Sequence, residues 1–249
     1  MGHQKTSYVI GRQPVMEALQ AGKEIERIFL LKNATGDVIQ ELRQEAQQKQ
    51  IPINSVPIEK LNSITRANHQ GVIAVMSIIS YMELQQVINQ VVAAGETPLF
   101  VMLDGITDVR NIGAIARTAL CCGAQAIIIP DKGVGAINEE AMKSSAGALN
   151  KIHVCRETSL LKAVDTLHLN GIKVCTAEMK ATKALHQLDL STPLGVIMGS
   201  EDKGIQSYLM KAADERFTIP MSPGFDSFNV SVAAGIILYE SFRQRSSGK

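Results

Sequence analysis

Ile219-Pro220-Met221-Ser222-Pro223-Gly224-Phe225-Asp226-Ser227-Phe228-Asn229-Val230-Ser231-Val232-Ala233-Ala234-Gly235 reads as a short apolar strand, a loop with prolines and a glycine, and a helix whose first turn carries Ser227, Asn229 and Ser231. A helix start exposes backbone N–H groups that can hold a small polar ligand. Ser and Asn are also the preferred N-caps, so capping is the plain alternative for the same residues. Two further stretches end an apolar run in the same way, Leu103-Asp104-Gly105-Ile106-Thr107-Asp108-Val109-Arg110-Asn111-Ile112-Gly113 and Ile197-Met198-Gly199-Ser200-Glu201-Asp202-Lys203-Gly204-Ile205. Ligands in open α/β sheets bind beyond the carboxyl ends of the strands, so three such polar ends predict one crevice.

Working outward, the chain after Pro98 alternates regularly. Strands are expected at Leu99 to Asp104, Ala126 to Ile129, Ile152 to Cys155, Ile172 to Ala177, Leu194 to Gly199 and Phe217 to Pro220. Helices are expected at Gly113 to Cys122, Asn138 to Leu149, Leu160 to Leu169, Ser207 to Ala213 and Asn229 to Arg243. Short, wholly apolar strands between helices imply a mostly parallel sheet covered on both faces, hence an α/β fold. Upstream, Ile25 to Leu31, Ile51 to Val56 and Gly71 to Met76 read as strands, and Val38, Ile39, Leu42 and Ala46 mark a surface helix. The expected organisation is a small α/β domain over 1–78, a helical linker over 79–97 ending at Gly95-Glu96-Thr97-Pro98, and a larger α/β domain over 98–249.

Composition narrows the function classes. With 249 residues, 45% of them hydrophobic and 20% charged, the chain can bury a sizeable core and is neither disordered nor low in complexity. The formal net charge of +1 means that any contact with nucleic acid has to come from a local patch. The four cysteines form no CxxC pair and have no histidine at zinc-ligand spacing, so no metal site is expected and a reducing cytoplasm is. No apolar run reaches the length of a membrane span, and no secretory leader opens the sequence. Gly204 is followed by Ile205 rather than Lys, which excludes a phosphate-binding P-loop.

The three stretches resemble the three motifs of the SpoU (TrmH-like) branch of the SPOUT methyltransferases, which move a methyl group from S-adenosylmethionine to a ribose 2′-hydroxyl of RNA. Asn111, Gly113, Ala114 and Arg117 match the first motif, and Gly199, Glu201 and Gly204 the second. Ile219-Pro220-Met221 followed by Ser227-Phe228-Asn229-Val230-Ser231-Val232-Ala233 matches the third, and Ser145-Ala146-Gly147-Ala148 also fits. Residues Tyr8 to Met76, with Gly11-Arg12 and His69-Gln70-Gly71, are similar to the small RNA-binding domain that precedes the catalytic one in such enzymes. Two positions depart from the pattern: Val109-Arg110 stands where Pro and a variable residue are usual, and Phe228 where Leu is usual.

The resemblance implies a trefoil-knotted catalytic domain, a homodimer, and RNA as partner with no membrane. It places S-adenosylmethionine at Gly199, Ile219, Met221, Ser227 and Phe228, with no metal, and the chemistry at Asn111, Arg117, Glu201, Ser227 and Asn229. Arginine is charged at any ordinary pH and is a poor base, so Arg117 is read as binding an RNA phosphate and stabilising the developing alkoxide. Arg12, Arg110 and His69 are candidate RNA contacts. The last helix, with Ile236, Ile237, Leu238 and Phe242, is a candidate dimer interface, with plain core as the alternative. The extra N-terminal domain leans toward ribosomal RNA, 23S with guanosine as target, over transfer RNA. A non-catalytic RNA-binding protein on the same scaffold is the competing class.

Overall fold

The computed structural model describes residues 7–178, 181–200, 202–222, 224 and 227–247. The chain divides into two units, Met1–Ser80 with Ala136–Glu139, and Tyr81–Gly135 with Glu140–Lys249.

The first unit runs β1 (Tyr8–Ile10), α1 (Arg12–Gln20), β2 (Ile25–Leu31), α2 (Asp37–Gln48), β3 (Ile53–Val56), α3 (Ile58–Ile64) and β4 (Val72–Met76). Its sheet has the order β1-β4-β2-β3, with β2 and β3 parallel and β4 antiparallel to both of its neighbours. Helical spacing decides what is buried: Val15, Met16 and Leu19 of α1 and Ile39, Leu42 and Ala46 of α2 form one core with Ile28, Leu30 and Val72. This topology brings the loops after β1 and β2 and the loop before β4 to one edge of the sheet.

The second unit continues with β5 (Tyr81–Met82), α4 (Leu84–Ala93), β6 (Leu99–Asp104), α5 (Val109–Cys121), β7 (Ala126–Pro130), α6 (Glu139–Ser144), β8 (His153–Glu157), α7 (Leu160–Leu169), β9 (Lys173–Ala177), β10 (Lys183–Ala184), β11 (Leu194–Gly199), α8 (Ser207–Ala212), β12 (Glu215–Thr218) and α9 (Val230–Ser247). The eight strands are ordered β10-β12-β9-β11-β6-β7-β8-β5, and every pairing is parallel. The expected mostly parallel α/β sheet is therefore present. All six residues of β6 are buried, as a strand covered on both faces requires.

Several expectations need correcting. The stretch expected as a linker belongs to this core: Leu84, Val87, Ile88 and Val91 of α4 pack with Phe100, Ile128 and Val164, and Tyr81–Met82 add a strand beside β8. Helix α5 begins at Val109 rather than Gly113, because Asp108 caps it by accepting from the Arg110 backbone N–H, so Asn111 lies inside its first turn. The helix expected to reach Leu149 stops at Ser144, where Ala146 (φ 47°) and Gly147 (φ 86°) turn the chain. The last strand ends at Thr218, which leaves Ile219 to Met221 as loop. Among the described residues no helix is long and apolar enough to cross a membrane.

Helix α9 is pinned at its far end. The Arg245 guanidinium donates to the carbonyls of Leu190 (3.1 Å), Thr97 (2.8 Å), Pro98 (3.0 Å) and Thr192 (2.7 Å), which lie just ahead of β6 and β11. Ser241, fully buried, donates to the Leu190 carbonyl as well.

Candidate active site

At the carboxyl edge of the parallel sheet two cavities adjoin, sharing Ser200, Asp202, Lys203, Gly204 and Val230 in their walls. The first, of about 470 Å³, is bounded by Gly199, Ile219, Met221, Ser227 and Phe228, with Met198, Ile205 and Met210 supplying apolar wall. These five residues are the ones expected to hold the cofactor, drawn from two loops about twenty residues apart. The second cavity, of about 590 Å³, is bounded by Asp104, Thr107, Asp108, Asn111, Gly133 and Gln206. Both volumes lie in the range of small-molecule sites.

Gly199 is required by the turn that follows it. A Cβ there would overlap the backbone of Gly204 and Ile205, so the glycine lets the Ser200–Gly204 turn fold back onto the strand end. That turn is closed by Gly204 N–H donating to the Ser200 carbonyl at 2.8 Å, and Gly204 takes φ 65°. Gly113 has a similar role on α5: a Cβ there would collide with Ser144 Oγ and the Ala141 carbonyl, so the glycine of the first motif sets the close packing of α5 on α6.

Asn111 and Asn229, 118 positions apart, meet side chain to side chain, Asn229 Nδ2 donating to Asn111 Oδ1 at 3.3 Å. Asn229 Oδ1 accepts from the Ser231 N–H (3.0 Å) and hydroxyl (2.6 Å), so Asn229 caps α9 as well. The two roles use opposite ends of one amide. Capping orients the group and does not compete with its use at the site.

Arg117 is not brought to either cavity. It is exposed on α5, six residues beyond Asn111, about 9 Å along the helix axis. Among the described residues it has no hydrogen-bond or ion-pair partner. Arg110, seven residues before it and on the same helical face, is held by Asp108 (3.1 Å) and reaches Glu140 (3.7 Å). The hydrogen bond from Arg110 keeps the Asp108 carboxyl below its ordinary range. Arg110 thus has acidic partners within the chain and stays exposed. Glu201 lies outside the described residues.

In the first unit, Arg12 is the fixed cation. Its Nε donates to the Gln70 carbonyl at 3.0 Å, its backbone N–H to Gln70 Oε1 at 3.2 Å, and Nη1 lies 3.5 Å from the Thr35 carbonyl. His69, expected to face RNA, is only 8% exposed. Its Nδ1 accepts from the Gly71 N–H at 3.0 Å and its Nε2 lies 3.0 Å from Asn62 Oδ1, so the ring braces the turn carrying Gln70. By topology Arg12, Lys32, Lys60 and Arg66 share this loop edge with Asp37 and Glu59.

Sequence reasoning missed Asp104, Ser200 and Gln206 in the cavity walls. The available signal was a carboxylate closing an otherwise apolar strand, Leu99 to Asp104.

Residues 98–239 match the SpoU rRNA Methylase family, and residues 8–82 match the RNA 2′-O ribose methyltransferase substrate binding family. The chain is 36% identical over 237 residues to an uncharacterized tRNA/rRNA methyltransferase of Synechocystis sp., covering 94% of this chain and 62% of that protein, so it spans less than two thirds of that relative's length. It is 32% identical over 243 residues to YacO of Bacillus subtilis (strain 168), assigned by name to the TrmH family of tRNA/rRNA methyltransferases, covering 98% of both. Among solved structures, the SpoU methyltransferase AviRb from Streptomyces viridochromogenes, in complex with AdoMet, superposes with a TM-score of 0.63 at 23% identity, over 97% of this chain and 91% of that one.

Proposed function

This chain belongs to the SpoU methylase family, and from its site we propose that it transfers a methyl group from S-adenosylmethionine to a ribose 2′-hydroxyl of RNA. The observation that carries the reading is the cavity walled by Gly199, Ile219, Met221, Ser227 and Phe228 next to the Asn111–Asn229 pair. Its apolar residues suit an adenosine, its loop backbone offers carbonyl and amide groups for the purine edge, and Glu178 and Asp202 in its wall suit a cationic sulfonium.

When bound, the donor supplies an electrophilic methyl: its carbon–sulfur bond breaks as the carbon–oxygen bond forms, and the hydroxyl proton leaves to solvent. The protein holds the reactants in line, which can supply roughly 7–11 kcal/mol of the barrier. Asn111 and Asn229 orient the attacking ribose. Arg117, exposed, outside both cavities and without a partner among the described residues, takes an RNA phosphate beside the target.

The substrate is ribosomal RNA, 23S with a guanosine target, in preference to transfer RNA, and the enzyme acts in the cytoplasm. What supports ribosomal RNA is the first unit, where a pinned Arg12 shares a loop edge with Lys32 and Arg66, cations suited to RNA backbone. The active form is a homodimer on the knotted scaffold of the family. Its interface is the exposed stripe of α9, in which Val232, Tyr239 and Phe242 are 49%, 61% and 43% accessible. This modifies the expected interface, since Ile237 and Leu238 are buried core.

The test is incubation with S-adenosylmethionine and unmodified in vitro transcripts of ribosomal and transfer RNA, followed by nucleoside mass spectrometry. A 2′-O-methylguanosine formed on 23S RNA is expected; methylation confined to transfer RNA reassigns the substrate, and no methylation with no donor binding favours a non-catalytic RNA-binding protein.

A further inference from the structure

The second cavity contains a buried carboxylate that the proposed chemistry does not use. Asp104, the last residue of β6, is 2% exposed, and its register partner is Gly199 at the end of β11. Its Oδ2 accepts from the Gln206 backbone N–H and its Oδ1 from Gln206 Nε2, both at 2.7 Å. Among the described residues no cation accompanies it. Burying a carboxylate on neutral donors alone is costly, so what it achieves there is informative.

What it achieves is orientation. Both Asp104 oxygens accept from Gln206, so the Gln206 amide turns an N–H toward Asp104. The flip of an amide is ordinarily undetermined; here the Asp104 carboxylate determines it. Oε1 and the second N–H of the amide have no partner among the described residues, and Gln206 lines the cavity beside the methyl-donor site.

We propose that this cavity receives the base of the target nucleotide, that Gln206 reads the base through an adjacent donor and acceptor on its edge, and that Asp104 is the positioning residue that sets which way round the amide is presented. The assignment rests on the methyltransferase reading above. It accounts for three features together: a second polar cavity sharing a wall with the first, a carboxylate buried without a cation, and an amide fixed at both its backbone and its side chain. Carboxamides are well suited to bidentate pairing with a base edge.

The variants that test it are Gln206→Met, which keeps the length and removes the amide, and Asp104→Asn, which keeps the shape but donates through Nδ2 and so lets the Gln206 amide reverse. With S-adenosylmethionine and unmodified in vitro transcribed ribosomal RNA, the wild type is expected to place its 2′-O-methyl group on one nucleoside. Gln206→Met should lower the preference for that nucleoside over the other three by roughly 5- to 150-fold, the scale of one lost base contact. Asp104→Asn should shift the preference rather than only slow the reaction. The double variant should discriminate no worse than Gln206→Met alone, since Asp104 acts through Gln206. Donor affinity, measured by calorimetry, should stay within a few-fold of wild type in all three and also reports folding. Loss of rate that is equal for all nucleosides, or selectivity unchanged in Gln206→Met, overturns the assignment while leaving the methyltransferase reading intact. A wild type that binds no donor and makes no 2′-O-methylnucleoside overturns both.

Discussion

The two edges of the eight-stranded sheet are built from the same strands and end in equally polar residues, yet they do opposite things. At the amino edge Arg245 and Gln125 are spent on the chain itself, although the buried Thr192 Oγ1 has no partner among the described residues and a cavity of about 380 Å³ lies beside Gln125. Arg245 spends its guanidinium on four carbonyls, and Gln125 accepts from the Leu99 N–H at 2.7 Å while donating to Glu96 at 3.0 Å and to the Thr97 carbonyl at 3.3 Å. At the carboxyl edge, Asn111, Asn229, Gln206 and the Ser200–Gly204 turn surround two cavities. The hydrophobic core between the edges is shared. At the carboxyl edge, Asn229 and Gln206 are oriented by the chain but not used up by it.

The contrast is broken if changes at the carboxyl edge cost stability while changes at the amino edge cost activity. The largest effect is expected for Asn229→Ala. Losing a preorganised group at the reacting centre should lower kcat by about 10²–10³-fold. Losing the α9 cap should cost only about 1 kcal/mol in urea unfolding. Next comes Arg245→Met, expected to lower stability by about 1.5–3 kcal/mol, because hydrogen bonds from a charged donor are lost from a guanidinium that burial already strains toward neutrality. Methyl transfer per folded molecule should be unchanged.

Legibility from sequence follows the same division. The strands Leu99–Asp104, Ala126–Pro130 and Leu194–Gly199 stand out because wholly buried strands are continuous apolar runs. Tyr81–Met82 and Lys183–Ala184 do not, since two residues carry no period. The end of α6 escapes notice because its turn places Ala146 at positive φ, a conformation alanine does not advertise. At the site, residues carried by motif pattern, Gly199, Ile219, Met221, Ser227 and Phe228, line one cavity. Arg117 shows the limit of that approach: a motif gives residue type and order, and its distance from the cavity depends on the helix that carries it. Asp104 and Gln206, 102 positions apart, form a pair that no local window contains.

Two smaller effects sharpen the comparison. The loop edge of the first unit is intermediate in kind, its cation pinned and half-buried. Arg12→Ala should weaken binding to all RNA sequences alike and reduce the slope of log affinity against log salt by about 1. An unchanged slope would remove Arg12 from the RNA surface. The smallest effect is expected at Glu157, on the carboxyl end of β8 but outside both cavities. Burial, opposed by Lys162 and reinforced by Glu83, raises its pKa. The folded state then holds this proton more tightly than the unfolded state, so stability falls as pH rises from the ordinary carboxylate range through the raised folded value. Glu157→Gln should flatten the thermal stability profile from the ordinary carboxylate range upward. A variant profile parallel to the wild type would contradict the sign.

The most direct test is a crystal structure of the protein with S-adenosylhomocysteine. The account predicts the nucleoside against Ile219, Met221 and Phe228, its sulfur turned toward the Asn111–Asn229 pair. A ligand bound anywhere else, or with its sulfur facing away from that pair, would contradict it.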